Sequence, residues 1–176
     1  MIKGCYYAKR FVDMKMNKAY LLLGGNIGDR LTNLVKARQL LKDNVGDILK
    51  YSQVYETASW GRDDQPDFLN QALLVETNLS PQQLMRNILF IEEKLGRIRT
   101  EKNVSRIIDI DILFFNEEII VTKNIIIPHP QIQNRNFVLN PLNELAPELE
   151  HPILKKTVNE LLLDCDDNLA VHIYKT

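Results

Sequence analysis

The sequence predicts an α+β fold of the ferredoxin-like βαββαβ type: an antiparallel sheet with helices packed on it and extra elements at the carboxyl end. Three observations carry this reading. A short apolar run closed by two glycines leads into a segment of helical period, two β-branched and aromatic runs flank a turn-rich stretch, and a capped amphipathic helix precedes a last apolar strand.

In chain order, "KAYLLLGG" (Lys18 to Gly25) is the first strand. "NIGDRLTNLVKARQLLKDNVGD" is a helix with Leu31, Leu34, Val35 and Leu41 on one face. "ILKYSQVYET" and "FLNQALLVETNL" are neighbouring strands joined by a long loop through "SWGRDDQPD". Ser80 is an N-cap, Pro81 suits the first helical position and Gln83 completes a capping box, so a helix follows. Its buried face is Leu84, Ile88, Ile91 and Leu95, and Gly96 stops it. The polar, basic "RIRTEKNVS" is an exposed loop into the strand "RIIDIDILFF". "FFNEEII" reads as the turn of a hairpin, a proline-punctuated segment follows, and a helical patch, "TVNELLL", precedes a polar tail.

A length of 176 residues suits one domain, and 45% hydrophobic with 26% charged residues is an ordinary globular composition. A formal net charge of -1 gives no sign of a nucleic-acid partner, and no apolar run approaches a bilayer span. Cys5 and Cys165 form no CxxC and no disulfide framework, which points to a reducing, cytoplasmic setting. Residues 1–16 lack the apolar core of a secretory signal. They read as an N-terminal extension, either an arm without fixed order or a stretch ahead of the native start at Met16, with residues 17–176 as the single domain.

The strand "SRIIDIDILFF" raises the chemical question. Alternation puts Asp109 and Asp111 on one face and Ile108, Ile110 and Ile112 on the other. Carboxylates about 6.5 to 7 Å apart at Cα can converge on one or two divalent cations, and Mg²⁺ accepts one or two such ligands beside water and phosphate oxygens. The same alternation is the signature of a half-wet strand, so the motif alone leaves both readings open. Arg97, Arg99, Lys102 and Arg106 stand in the stretch leading to it. Four cations in a surface loop can serve solubility alone, whereas cations beside a carboxylate pair, arranged around a metal, are what polyphosphate binding and phosphoryl transfer require.

Other features are weaker singly. "LGGNIGDR" matches neither a P-loop nor G-x-G-x-x-G and reads as a tight turn, with at most an indirect part in shaping a pocket. His129, between two prolines, and Arg135 are either structural or phosphate contacts. Asn70, inside "FLNQALL", is a satisfied sheet amide or the reader of a heterocycle edge. Phe68 and Phe137 are core residues or stacking surfaces. His151 and His172 have no partner pattern around them.

Taken in order, "GGNIGDR", "YETASWGRDDQPDFLNQA", "EEKLGRIR", "SRIIDIDILFF" and "IPHPQIQNRNFVLNPLNELAP" resemble the 6-hydroxymethyl-7,8-dihydropterin pyrophosphokinases of folate biosynthesis, from about Lys18 nearly to the carboxyl end. The resemblance implies transfer of pyrophosphate from ATP, as co-substrate, to the hydroxymethyl group of the pterin, with release of AMP. It implies two Mg²⁺ ions on Asp109 and Asp111, and Arg97 and Arg106 as the catalytic cations. Arg97, Arg99, Arg106, His129 and Arg135 would serve ATP, with Glu92 at the nucleotide site. Thr57, Trp60, Gly61, Phe68, Asn70 and Phe137 would form the pterin pocket. The expected partners are these small molecules alone, with no nucleic acid and no membrane, and the expected state is a monomer.

The chain departs from the family pattern in three places: Gly25 stands for a serine, Ser59 for a proline, and "EKNVS" before Arg106 lacks the family's tryptophan and Gly-Pro pair. The loops "SWGRDDQPD" and "RTEKNVS" are candidate lids. Two rivals use the same fold: a nucleotidyltransferase with the same carboxylate pair, which releases pyrophosphate, and a binding module whose aspartates are merely solvated.

Overall fold

The computed structural model describes residues 16–59, 65–97 and 105–175. Its first strand, β1 (Asn17–Gly25), lies at the centre of an antiparallel sheet, between β4 (Phe68–Thr77) and β5 (Asp109–Phe115). The run expected as one strand after the first helix is two: β2 (Asp47–Tyr51) and β3 (Tyr55–Thr57) both pair with β4. The order β5-β1-β4-β3 is that of the ferredoxin-like arrangement expected from the sequence.

Two helices cover one face. In α1 (Arg30–Asn44) the Asp29 side chain caps the Thr32 N–H, and in α2 (Pro81–Lys94) the predicted capping box of Ser80 and Gln83 is present in both directions. Leu34, Leu41, Leu84, Ile88 and Ile91 pack there against Leu21, Leu23, Ile108, Ile110 and Ile112. Val35, expected on the buried face of α1, is 46% exposed. It follows Leu34 by one residue, and a rotation of about 100° per residue carries it past the edge of the apolar stripe.

The opposite face is covered by α3 (Asn136–Leu145) and α4 (Val158–Leu163), whose Val138, Leu139, Leu142, Val158 and Leu161 bury Leu22, Leu113 and Phe114. The hairpin expected after β5 does not form with it. Asn116 takes a positive φ of 48°, and the next strand, β6 (Ile120–Val121), pairs instead with β7 (Ile126–Ile127). The polar tail contributes an unexpected strand: β8 (Val171–Ile173) pairs with β3. Its three residues are too few for a periodic signal.

Candidate active site

The site grows from one row of the sheet. Asp109 on β5 stands opposite Gly24 on β1, and Gly24 opposite Asn70 on β4, so the three share a face. A Cβ added at Gly24 would lie 2.9 Å from Asn70 Oδ1. The missing side chain leaves the floor open between carboxylate and amide. Asp111 is opposite Leu22, further along the same face, while Ile110 and Ile112 point into the other core. The predicted alternation is what the strand adopts, and the carboxylates share their face with Leu22, near the start of α3.

A pocket of about 520 Å³ opens over this row. Its walls include ten predicted residues: Asp109, Asp111, Arg97, Arg106, His129 and Arg135 on the charged side, and Thr57, Phe68, Asn70 and Phe137 on the other. Trp60, Gly61 and Arg99 lie outside the described residues, as does most of both candidate lids. Glu92 is among the predicted site residues but not among the pocket walls. It is buried in α2, where Oε1 accepts from the Ile110 N–H at 2.9 Å and pairs with Arg97. Its place is behind the site, holding an arginine and the strand that bears the aspartates.

The charged end is tightly organised. Gly96, at φ +91°, turns the chain out of α2, and the Arg97 N–H donates to Glu92 O at 3.0 Å. From there Arg97 pairs with Asp109 Oδ1 as well as Glu92, while Arg106 pairs with Asp109 Oδ2. Asp111 is pushed up to about 7, by burial first and then by the charge of Asp109, against the pull of Arg135. His129 follows the cis Ile127–Pro128 bond, and its N–H donates to Leu113 O at 2.9 Å. Burial, and then the Arg135 cation, hold its imidazole down to about 4. Its Nδ1 accepts from the Gln131 N–H at 3.2 Å, which leaves the ring proton on Nε2.

The remaining predicted walls are aromatic rings and neutral polar groups. Asn70 Nδ2 donates to Thr57 Oγ1 at 3.3 Å, and its second N–H and its carbonyl retain capacity for a ligand. Phe68 and Phe137 each carry an arginine over the ring, Arg106 at 6.0 Å and Arg135 at 5.7 Å from the centroid. Leu22, Gly24, Ala58, Ser59 and Gln65 complete the pocket and were not among the predicted residues. Of these, Gly24 had a usable signal, a paired glycine at the end of an apolar strand. Charged and aromatic walls thus meet in one pocket, with Arg106 and Arg135 reaching from the first group over the rings of the second.

The family profile described as 7,8-dihydro-6-hydroxymethylpterin-pyrophosphokinase (HPPK) matches residues 20–147. The 2-amino-4-hydroxy-6-hydroxymethyldihydropteridine pyrophosphokinase of Aquifex aeolicus (strain VF5) is 41% identical over 145 residues, covering 82% of this chain and 90% of that protein. Its counterpart in Bacillus subtilis (strain 168) is 44% identical over 135 residues, covering 76% and 81%. Among solved structures, wild-type HPPK-DHPS of Plasmodium falciparum superposes with a TM-score of 0.71 at 21% identity, over 85% of this chain and 45% of that one. At that identity the likeness speaks for the fold, and this chain spans less than half of the larger protein. The profile match over most of the folded region and the two near-full-length relatives establish that the chain belongs to the 7,8-dihydro-6-hydroxymethylpterin-pyrophosphokinase family.

Proposed function

We propose that this pocket carries the family's reaction in folate biosynthesis: pyrophosphate passes from ATP to the hydroxymethyl group of 6-hydroxymethyl-7,8-dihydropterin, and AMP leaves. The observation that carries the proposal is the juxtaposition, in one pocket, of Asp109 and Asp111, the cations Arg97, Arg106 and Arg135, and Asn70 with Phe68 and Phe137. Asn70 reads the donor and acceptor edge of the pterin, and the two phenyl rings hold its plane. Arg135 and the Nε2–H of His129 bind ATP phosphate oxygens. Arg97 and Arg106 meet the charge that develops as the bond to AMP breaks. Held in line, the pterin hydroxyl attacks the β-phosphorus, so positioning supplies much of the rate.

The donor set suits Mg²⁺. Among the described residues no group of three or more His, Cys, Asp or Glu forms a ready-made cage. Two neighbouring carboxylates are what Mg²⁺ takes when phosphates and water fill its other positions. The upward shift of Asp111 marks a carboxylate whose charge has too little compensation from the protein alone. ATP phosphates compete with Asp109 for Arg97 and Arg106, and the carboxylate so released is a hard oxygen ligand. Asp109 and Asp111 would hold two ions, which supply charge neutralisation across the phosphates. A monomeric state and a cytoplasmic setting complete the proposal. Among the described residues no helix is long and apolar enough to cross a membrane.

Incubation with ATP, Mg²⁺ and the dihydropterin, followed by chromatography, should give pterin-dependent AMP. Asp111→Ala should lower turnover by at least about 100-fold, since even outer partners of a metal site are worth 10- to 100-fold. Free pyrophosphate would turn the reading to nucleotidyl transfer. Full turnover by the alanine variant at saturating Mg²⁺ would remove Asp111 from the metal site.

A further inference from the structure

The turn after β1, with no P-loop chemistry of its own, meets the pocket at its charged end. The glycines let backbones touch: a Cβ at Gly25 would stand 2.4 Å from Ile107 O, so the end of β1 lies directly against the chain that feeds β5. Asn26 then holds both backbone groups of Arg106 on that adjoining chain. Its own N–H donates to Arg106 O at 3.0 Å, and its Oδ1 accepts from the Arg106 N–H at 2.8 Å. Both hydrogens of its Nδ2 are used, on Pro66 O and Ser105 Oγ, each at 3.1 Å. Asn26 is only 2% exposed. The assignment of its amide is unambiguous, because Pro66 O can only accept and the Arg106 N–H can only donate.

We infer that Asn26 is a positioning residue for the pyrophosphoryl transfer, one that sets the backbone from which Arg106 reaches the phosphates and ties it to the segment leading into Phe68. The inference rests on the proposed role of Arg106. A turn that merely reversed the chain would need neither a buried amide nor four partners on two distant segments. No other side chain of this size offers one acceptor and two donors from a planar group. Aspartate keeps the shape and the acceptor but loses both donors, and alanine loses all three side-chain bonds.

The test is a double-mutant cycle on kcat with Asn26→Ala, Arg106→Ala and the pair, thermal unfolding being followed for each. Displacing a reacting group by about 1 Å can lower rate by up to about 100-fold, so Asn26→Ala should lower kcat by between about 10- and 100-fold. In the Arg106→Ala background the same change should lower kcat by less than about 3-fold, because the group it positions is gone. Asn26→Asp, carried through the same cycle, serves if the alanine variant fails to fold, and the same interaction is expected. An equal loss from the Asn26 change with and without Arg106 would overturn the inference while leaving Arg106 in its role. Arg106→Ala with wild-type turnover would overturn both.

Discussion

His129 enters the pocket as a neutral ring. Burial and the neighbouring Arg135 hold it down to about 4, and the Gln131 N–H occupies Nδ1, so Nε2 carries a proton throughout the physiological range. A donor that never titrates there makes a definite kinetic prediction. With Nε2–H on an ATP phosphate, as proposed, His129→Ala would remove one hydrogen bond to a charged group, a change of about 1.5 to 3 kcal/mol. It should therefore lower kcat/KM for ATP by roughly 10- to 100-fold, without altering the form of the pH profile between 6 and 8. An ionisation near pH 6.5 in the wild-type profile that vanishes in the variant would show the ring to be acting as an acid or base. Legibility differed sharply among single residues. Asp109 and Asp111 could be paired from the sequence because strand alternation is a local rule, and Phe68, Asn70 and Phe137 could be marked as candidates by residue type. Asn26 could not: its partners are 40 and about 80 positions away, and no local rule reports contacts at that range.

At the scale of elements, α3 places both Arg135 and Phe137, yet its own N-cap, Arg135, makes no side-chain capping bond. The cap comes from the tail. Asp167 Oδ2 accepts from the Asn136 N–H at 2.9 Å, and the Asn136 side chain donates to Asp167 O. A carboxylate at a helix N-terminus satisfies an orphan donor and opposes the positive end of the helix dipole. Asp167→Ala should lower stability by about 1 kcal/mol in urea unfolding. It should also raise KM for the pterin a few-fold by loosening the first turn, with kcat less affected; unchanged KM would mean that packing alone holds Phe137 in place. The capping boxes of α2 and α4 lie within four residues of sequence, and the first of them is legible in Ser80 and Gln83 alone. A cap supplied from 31 positions away leaves no such trace. The same distinction explains why β2 and β3 look like a single strand in the sequence, and why β8, whose place comes from pairing with β3, leaves no signal there.

The whole molecule inherits an opposed pair of titrations from its pocket. Asp111 is raised to about 7 and His129 lowered to about 4, each by burial first. In the unfolded chain an aspartate loses its proton near pH 3.9 and a histidine near 6.5. Between about pH 4 and 6.5, therefore, the folded protein holds a proton on Asp111 that the unfolded chain lacks, and lacks one on His129 that the unfolded chain holds. Stability changes with pH as the proton count of the unfolded state minus that of the folded state. Asp111 alone makes the protein more stable as pH falls from 7 toward 4, whereas His129 alone makes it less stable as pH falls from 6.5 toward 4. Their slopes offset each other, and separate substitutions should expose them. In urea unfolding without metal or nucleotide at pH 5, 6 and 7, Asp111→Asn should lose stability on acidification and His129→Gln should gain it. Wild type should vary less than either. Parallel pH dependence in all three would show that neither burial shift contributes to folding, and that the charged end of the pocket is solvated well enough to titrate as it does in the unfolded chain.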